Sequence, residues 1–239
     1  CLTAYSKNIA SILDDHCDLI LVGDSLGSVL YNYKSTKHVK LDTIIEHSKS
    51  VRMGIKKTLM IVDMPYNTYR NKREALKNAK KIISKTKCDA VKLEGANKVV
   101  NIIKHLIKNN IPVQGHLGLL PQSAKNFKFK GKKSLERNKI LNDAKLLEEA
   151  GVFSIVLECV ETSLAKKITK ELKIPTIGIG ASSYCDGQVL VTDDLIGLNQ
   201  INVRFVKKYT NITKHISSAI IKFKNEVKSN KFPKKKHSY

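Results

Sequence analysis

Tryptophan is absent from this 239-residue chain, and tyrosine and phenylalanine together make up only 6% of it. A protein that holds single-stranded nucleic acid by stacking needs such rings, so their scarcity argues against that class. No apolar run approaches the about 20 residues that a membrane-spanning helix requires. The opening Cys1-Leu2-Thr3-Ala4-Tyr5 has no basic region followed by a longer apolar segment, as a secretory signal would. A soluble, unsecreted, cytoplasmic protein with no membrane partner is therefore expected. Cys1, Cys17, Cys88, Cys159 and Cys185 show neither a CxxC pair nor metal-finger spacing, and their odd number suits reduced thiols. Acids are scarce as well, 21 against 43 basic residues, for a net charge of +22. A basic surface can release counterions from phosphate, but the lysines are spread over almost every candidate helix instead of forming one stripe. They are read as solvated helix faces, with no specific nucleic-acid partner, in a chain where Asn and Ile are also abundant. The tail Lys231-Phe232-Pro233-Lys234-Lys235-Lys236-His237 is a local basic cluster that could touch an acidic partner or an anionic ligand.

What the chain does have is a repeated punctuation. The apolar run Leu21-Val22-Gly23 ends in Asp24 and a small-residue turn. The same pattern returns at Ile61-Val62-Asp63, Val91-Lys92-Leu93-Glu94, Val113-Gln114-Gly115-His116 and Ile155-Val156-Leu157-Glu158. One polar strand end is ordinary. Five in succession are what a parallel barrel produces, because every strand delivers its C-terminal residues to one face.

Strands are expected at residues 2–4, 19–24, 58–64, 90–94, 112–116, 153–158, 176–179 and 188–192. Helical patterns between them cover 41–53, 73–86, 98–108, 142–150 and 163–172, and a further helix covers about 212–229. Gly151 stands where a helix should stop. Eight strands with intervening helices, in a chain close to the about 250 residues typical of the architecture, predict an α/β protein built as a (β/α)8 TIM barrel. An open doubly wound sheet is the alternative, but it would carry a Gly-rich phosphate turn after its first strand, and Thr3-Ala4-Tyr5-Ser6 is not one. The domain expectation is one catalytic barrel over residues 1–239, with a C-terminal helix and basic tail from about 203. The connection over residues 117–140, Lys-rich and weakly periodic, is long enough to be a functional lid or an insertion.

Asp24, Asp63 and Glu94 are hard oxygen donors on neighbouring strand ends, the type Mg²⁺ accepts directly or through water. Such an ion can chelate a 2-oxo acid and stabilise the charge that develops when the adjacent carbon loses a proton. Lys92, two residues before Glu94, projects to the same side of its strand and can neutralise the substrate carboxylate. Glu158 on a later strand is a candidate general base. Taken singly, each acid reads more readily as a helix cap or an ion-pair partner, and His116 as readily as a hydrogen-bonded histidine. Only the joint pattern points to a site.

Several segments, in order, resemble ketopantoate hydroxymethyltransferase. They are Leu2-Thr3-Ala4-Tyr5, Val22-Gly23-Asp24-Ser25-Leu26-Gly27, Val91-Lys92-Leu93-Glu94-Gly95, Gly115-His116-Leu117-Gly118-Leu119 with Pro121-Gln122-Ser123, Val156-Leu157-Glu158-Cys159-Val160, and Ile177-Gly178-Ile179-Gly180-Ala181 with Asp186-Gly187-Gln188. The resemblance implies a barrel of the phosphoenolpyruvate/pyruvate type, a homo-oligomer, commonly a decamer. It implies transfer of a hydroxymethyl group from 5,10-methylenetetrahydrofolate to 3-methyl-2-oxobutanoate, giving 2-dehydropantoate on the route to pantothenate and coenzyme A. Position by position, Asp24 and Asp63 match the ligands of Mg²⁺ and the 2-oxo acid, and Glu94 lies close to the metal. Ser25 and Lys92 match groups at the substrate's carboxylate end, Glu158 the base that removes the C3 proton, and His116 a supporting residue. The chain departs from the family pattern at Ser6, Leu120, Ser182 and Tyr239, none of them a proposed metal or proton-transfer group. A barrel lyase of the isocitrate lyase type would use similar chemistry, but its Lys-Lys-Cys-Gly-His loop is missing.

Overall fold

The computed structural model describes residues 1–124, 128–199 and 201–239. They fall into two compact units, Cys1–Val191 and Thr192–Tyr239.

The first unit alternates strands and helices. Its elements are β1 (Leu2–Thr3), α1 (Lys7–Leu13), β2 (Leu19–Val22), α2 (Leu26–Tyr31), α3 (Leu41–Arg52), β3 (Leu59–Asp63), α4 (Lys72–Thr86) and β4 (Ala90–Glu94). They continue as α5 (Val100–Lys108), β5 (Val113–Gly118), α6 (Ser134–Glu149), β6 (Ser154–Glu158), α7 (Thr162–Glu171), β7 (Thr176–Ile179) and β8 (Gly187–Gln188). The eight strands pair in chain order, all parallel. The sheet closes on itself: Leu2 bridges Leu190 in parallel, Thr3 N donates to Leu190 O at 3.2 Å, and Cys1 N donates to Gln188 O at 3.0 Å. This is the expected (β/α)8 barrel.

Strands covered on both faces read as unbroken apolar runs, and two cores account for both faces here. The larger packs outward-facing residues such as Ile20, Val22, Met60, Val62, Val91 and Leu93 among the helices. The smaller, Leu21, Ile61, Ala90, Val156, Ile177 and Val189, comes from the alternate positions and fills the barrel interior. The period of two then continues the inward rows upward, from Ile61 to Asp63, from Ala90 to Lys92 and Glu94, and from Val156 to Glu158. Polar chemistry is therefore stacked on an apolar plug at the C-terminal mouth.

Helix ends follow local rules. Asn71 caps α4 by accepting from Glu74 N at 2.9 Å, and Glu161 caps α7 by accepting from Ser163 N and Leu164 N. An oxygen acceptor there satisfies amides that a helix start would leave unpaired. The structure extends the sequence expectation at α6, which begins at Ser134 and not at Asn142. One local and two long-range contacts hold its first turn: Glu136 Oε2 accepts from Gly131 N at 2.7 Å, and Arg137 reaches Glu161 Oε2 at 2.5 Å and Ser163 Oγ at 3.0 Å. Helices α1 and α2 also go beyond the expected set, and β8 is shorter than expected. Of the Lys-rich connection before α6, residues 125–127 lie outside the described residues.

The second unit holds α8 (Thr192–Leu195), α9 (Ile212–Lys228) and a 3₁₀ turn at Lys235–His237. Asn211 caps α9, and Tyr209 N and Ile212 N donate to Leu195 O and Ile196 O. None of α9's residues is buried, and Ile216, Ile220, Ile221, Phe223 and Val227 are exposed.

Candidate active site

The strand ends bring six of the sequence-predicted residues into one cluster. Asp63 lies opposite Lys92 in the β3/β4 register, and Glu94 lies opposite His116 in β4/β5. Lys92 Nζ is 2.8 Å from Asp63 Oδ1 and 3.4 Å from His116 Nδ1. His116 Nδ1 is 3.6 Å from Glu94 Oε1, and its Nε2 is 3.1 Å from Glu158 Oε2. The last contact is off the ordinary hydrogen-bond angle, as is that of Asp63 Oδ1. Just past β2, Asp24 N donates to Asp63 Oδ2 at 2.9 Å. All of these side chains are buried except Glu158, which keeps partial access at the mouth.

Two backbone features set Glu158 in place. Gly118 has φ +95°, and a Cβ there would lie 2.2 Å from the Glu158 carbonyl oxygen. Only glycine lets the end of β5 pass this close, and Leu119 N then donates to the same oxygen at 2.8 Å. Cys159, at φ +50°, turns the chain out of the sheet directly after Glu158. Its N donates to Ile179 O at 2.8 Å, and its O accepts from Lys130 N at 2.7 Å.

The electrostatics of the cluster are unbalanced. Four carboxylates, Asp24, Asp63, Glu94 and Glu158, surround one ammonium, Lys92. Burial, reinforced by the Asp63 charge, pushes Asp24 up to about 7. Burial pushes Glu94 well above the usual carboxylate range, and Asp24, Asp63 and Glu158 add to this against the pull of Lys92. Burial alone would depress Lys92, but Asp63, Glu94 and Asp24 together outweigh it and raise its pKa, so it stays charged. Burial, then the Lys92 charge, lowers the pKa of His116 against the opposing pull of Glu158, which favours the neutral imidazole. The contacts assign its tautomer: Nδ1 faces the Lys92 donor and Nε2–H faces the Glu158 acceptor.

Two placements refine the sequence reading. Lys92, expected at the substrate carboxylate, is tied to Asp63 and faces His116 Nδ1; an ammonium has three donors, so one is left for an incoming anion. Ser25, beside Asp24, shares a 2.8 Å hydrogen bond with the Tyr5 hydroxyl. One residue went unassigned. Gln122, buried in the loop after β5, donates from Nε2 to Asp24 Oδ2 at 2.8 Å and to Met64 O at 3.0 Å, and from its backbone N to Glu94 Oε2 at 3.1 Å. The Tyr69 hydroxyl donates to Gln122 Oε1 at 2.5 Å. The segment Pro121-Gln122-Ser123 was a visible signal, but a loop has no period from which to aim a side chain. Beside Glu94 and Gln122 opens a cavity of about 690 Å³, walled by Tyr66, Val99, Leu117, Leu120 and Ile140 among others.

The family model for ketopantoate hydroxymethyltransferase matches residues 1–235 of this sequence. The chain belongs to that family. Among its relatives, a 3-methyl-2-oxobutanoate hydroxymethyltransferase from Pelagibacter ubique (strain HTCC1062) is 75% identical, over all of this chain and 93% of the relative. Another, from Rhizobium etli, is 46% identical over all of this chain and 89% of its own length. Likeness to solved structures extends the fold further. A phosphonopyruvate hydrolase superposes with TM-score 0.61 at 12% identity, covering 99% of this chain and 87% of that one. A phosphoenolpyruvate phosphomutase from Streptomyces platensis subsp. rosaceus superposes with TM-score 0.61 at 10% identity, covering 96% and 82%. As a ketopantoate hydroxymethyltransferase, the chain is a transferase of pantothenate biosynthesis on a barrel shared with these phosphoenolpyruvate-type enzymes.

Proposed function

We propose that the cluster at the barrel mouth binds 3-methyl-2-oxobutanoate with Mg²⁺ and removes its C3 proton, and that 5,10-methylenetetrahydrofolate then supplies the one-carbon unit. The observation that carries this reading is the cluster of four carboxylates around a single lysine at the end of an apolar barrel.

The donor set fits a magnesium ion. Among the described residues no three His, Cys, Asp or Glu side chains converge into a closed cage, but Mg²⁺ does not need one. It keeps several waters and takes one or two carboxylates together with substrate oxygens. Asp24 and Asp63, joined through Asp24 N, would hold it, with Glu94 beside them, and the excess negative charge calls for a cation. When bound, the ion supplies Lewis-acid stabilisation to the developing charge on the 2-oxo oxygen. Ser25 and the remaining donor of Lys92 hold the substrate carboxylate. His116 lies between Lys92 and Glu158, its Nε2 3.1 Å from one Glu158 oxygen, which leaves the other oxygen to take the C3 proton. Once C3 has lost its proton, it bonds to the folate-derived methylene carbon; both bonds from that carbon to the folate nitrogens break, water supplies the hydroxyl oxygen, and the two protons released, one from C3 and one from water, end on the nitrogens of tetrahydrofolate. The cavity beside Glu94, within the 300–1,000 Å³ range usual for small-molecule sites, is the place we assign to the folate. A phosphonopyruvate hydrolase of the same fold was crystallised with oxalate and Mg²⁺, a pairing of 2-oxo-acid-like oxygens and metal that agrees with this reading.

A homo-oligomer, a decamer by analogy with the family, in the cytoplasm completes the proposal. The exposed apolar residues of α9 are the kind of surface a second copy covers. No helix among the described residues is long and apolar enough to cross a membrane. The direct test is formation of 2-dehydropantoate from the two substrates. Omitting either substrate or chelating the divalent ion should abolish it, and undiminished turnover under chelation would contradict the reading.

A pH dependence follows from the raised carboxyls. Below about pH 7 Asp24 holds a proton, and burial raises Glu94 well above the usual carboxylate range as well. Metal binding must displace these protons. Apparent Mg²⁺ affinity should therefore rise from pH 6 to pH 8, and calorimetry at pH 6 in buffers of different ionisation enthalpy should register proton release on binding. Equal affinity at both pH values, with no proton released, would refute the electrostatic account.

A further inference from the structure

We infer that Gln122 is a positioning residue that decides which oxygen of Asp24 and which oxygen of Glu94 is presented to the cation. The inference rests on the proposed magnesium site and adds to it a residue that acts through its contacts to the carboxylates and not on the reacting atoms.

The geometry is over-determined. Both Nε2 hydrogens are committed, one to Asp24 Oδ2 and one to Met64 O, and the Tyr69 hydroxyl donates to Oε1. An amide turned by 180° would set its oxygen against two acceptors and its nitrogen against a donor, so only one orientation satisfies all three partners. The backbone N of the same residue takes Glu94 Oε2. One residue thus occupies one oxygen on each of two carboxylates, one just past β2 and one at the end of β4. The remaining oxygens, Asp24 Oδ1 and Glu94 Oε1, are left for the ion and its waters. Burial, then the Glu94 charge, pushes the Tyr69 hydroxyl up, so it remains a donor throughout the working range. Tyr69 also stands on the wall of the 690 Å³ cavity, as does Gln122. The amide therefore joins the cavity to the carboxylates and does more than fill the barrel mouth. Outer contacts of this kind orient ligands, and losing one typically costs about 10- to 100-fold in metal affinity.

The test is Mg²⁺ calorimetry at pH 8 on the full chain, with no substrate present, for the unaltered protein, Asp24→Asn, Gln122→Met and Tyr69→Phe. Gln122→Met keeps the length of the side chain and the backbone contact to Glu94 but removes the amide. It should bind Mg²⁺ about 10- to 100-fold more weakly, and kcat should recover toward the unaltered value at saturating Mg²⁺. Tyr69→Phe, which frees the amide to rotate, should weaken binding in the same direction by less. A residue that only supported the fold would lower thermal stability and kcat without moving the Mg²⁺ midpoint. Unchanged Mg²⁺ affinity in folded Gln122→Met, with Asp24→Asn impaired, overturns the inference and leaves the magnesium site standing. Should Gln122→Met not fold, Tyr69→Phe decides, and unaltered affinity there overturns it equally. Failure of the unaltered protein to bind Mg²⁺ would remove the site itself.

Discussion

Glu158→Gln should lower both C3 proton exchange and hydroxymethyl transfer by about 10²- to 10⁴-fold, the usual worth of a positioned general base. Glutamine keeps the size of the side chain and can still accept from His116 Nε2, which sits 3.1 Å from Glu158 Oε2. What it loses is a basic oxygen, on the one carboxylate of the cluster that is partly open to the mouth. Asp24, Asp63, Lys92 and Glu94 are untouched, so binding of Mg²⁺ and the 2-oxo acid should survive. Measuring exchange and transfer on the same preparation separates the possibilities. If transfer failed while exchange ran at the unaltered rate, Glu158 would act after carbanion formation. The proton would then pass to another group, with His116 next in line.

Asp24→Asn and Asp63→Asn should each lose Mg²⁺-dependent activity while keeping the fold. Mg²⁺ relies on one or two anionic oxygens from the protein, so neutralising either removes a large share of what holds it. The two variants should differ in one respect. Asp63 also pairs with Lys92 at 2.8 Å and accepts from Asp24 N at 2.9 Å. Asp63→Asn leaves the buried ammonium with a weaker partner, and a buried charge stripped of its partner is costly. It should lower the midpoint of thermal unfolding, whereas Asp24→Asn relieves repulsion among the carboxylates and should raise or preserve it in the absence of metal. Circular dichroism melts and metal titrations check both. Full activity and unchanged metal affinity in both variants would contradict the assignment.

The barrel was legible because parallel strands, buried on both faces, write themselves as apolar runs, and because the polar residue closing each run is the one the barrel turns into its mouth. Asp63, Lys92, Glu94, His116 and Glu158 could all be placed from that rule. Short elements left weaker marks. The seven residues of α1 and the six of α2 offer too few turns for a helical period to emerge. The start of α6 is held by Arg137 reaching Glu161 on α7, a contact no local pattern announces. The same limit hid Gln122. It meets Asp24 across 98 positions of sequence, from a loop whose side-chain directions follow from closure of the barrel and not from any spacing. Lys92 illustrates a third limit. Its side of the strand was readable, but its pairing with Asp63 depends on the β3/β4 register.

The most direct measurement is deuterium exchange at C3 of 3-methyl-2-oxobutanoate, followed by proton NMR in D₂O with and without Mg²⁺ and with and without tetrahydrofolate. The account predicts exchange that requires Mg²⁺ and Glu158 and proceeds without any folate, because the barrel mouth alone holds the groups that remove the proton. Exchange that proceeds equally well under chelation, or that is unchanged in Glu158→Gln, would contradict it.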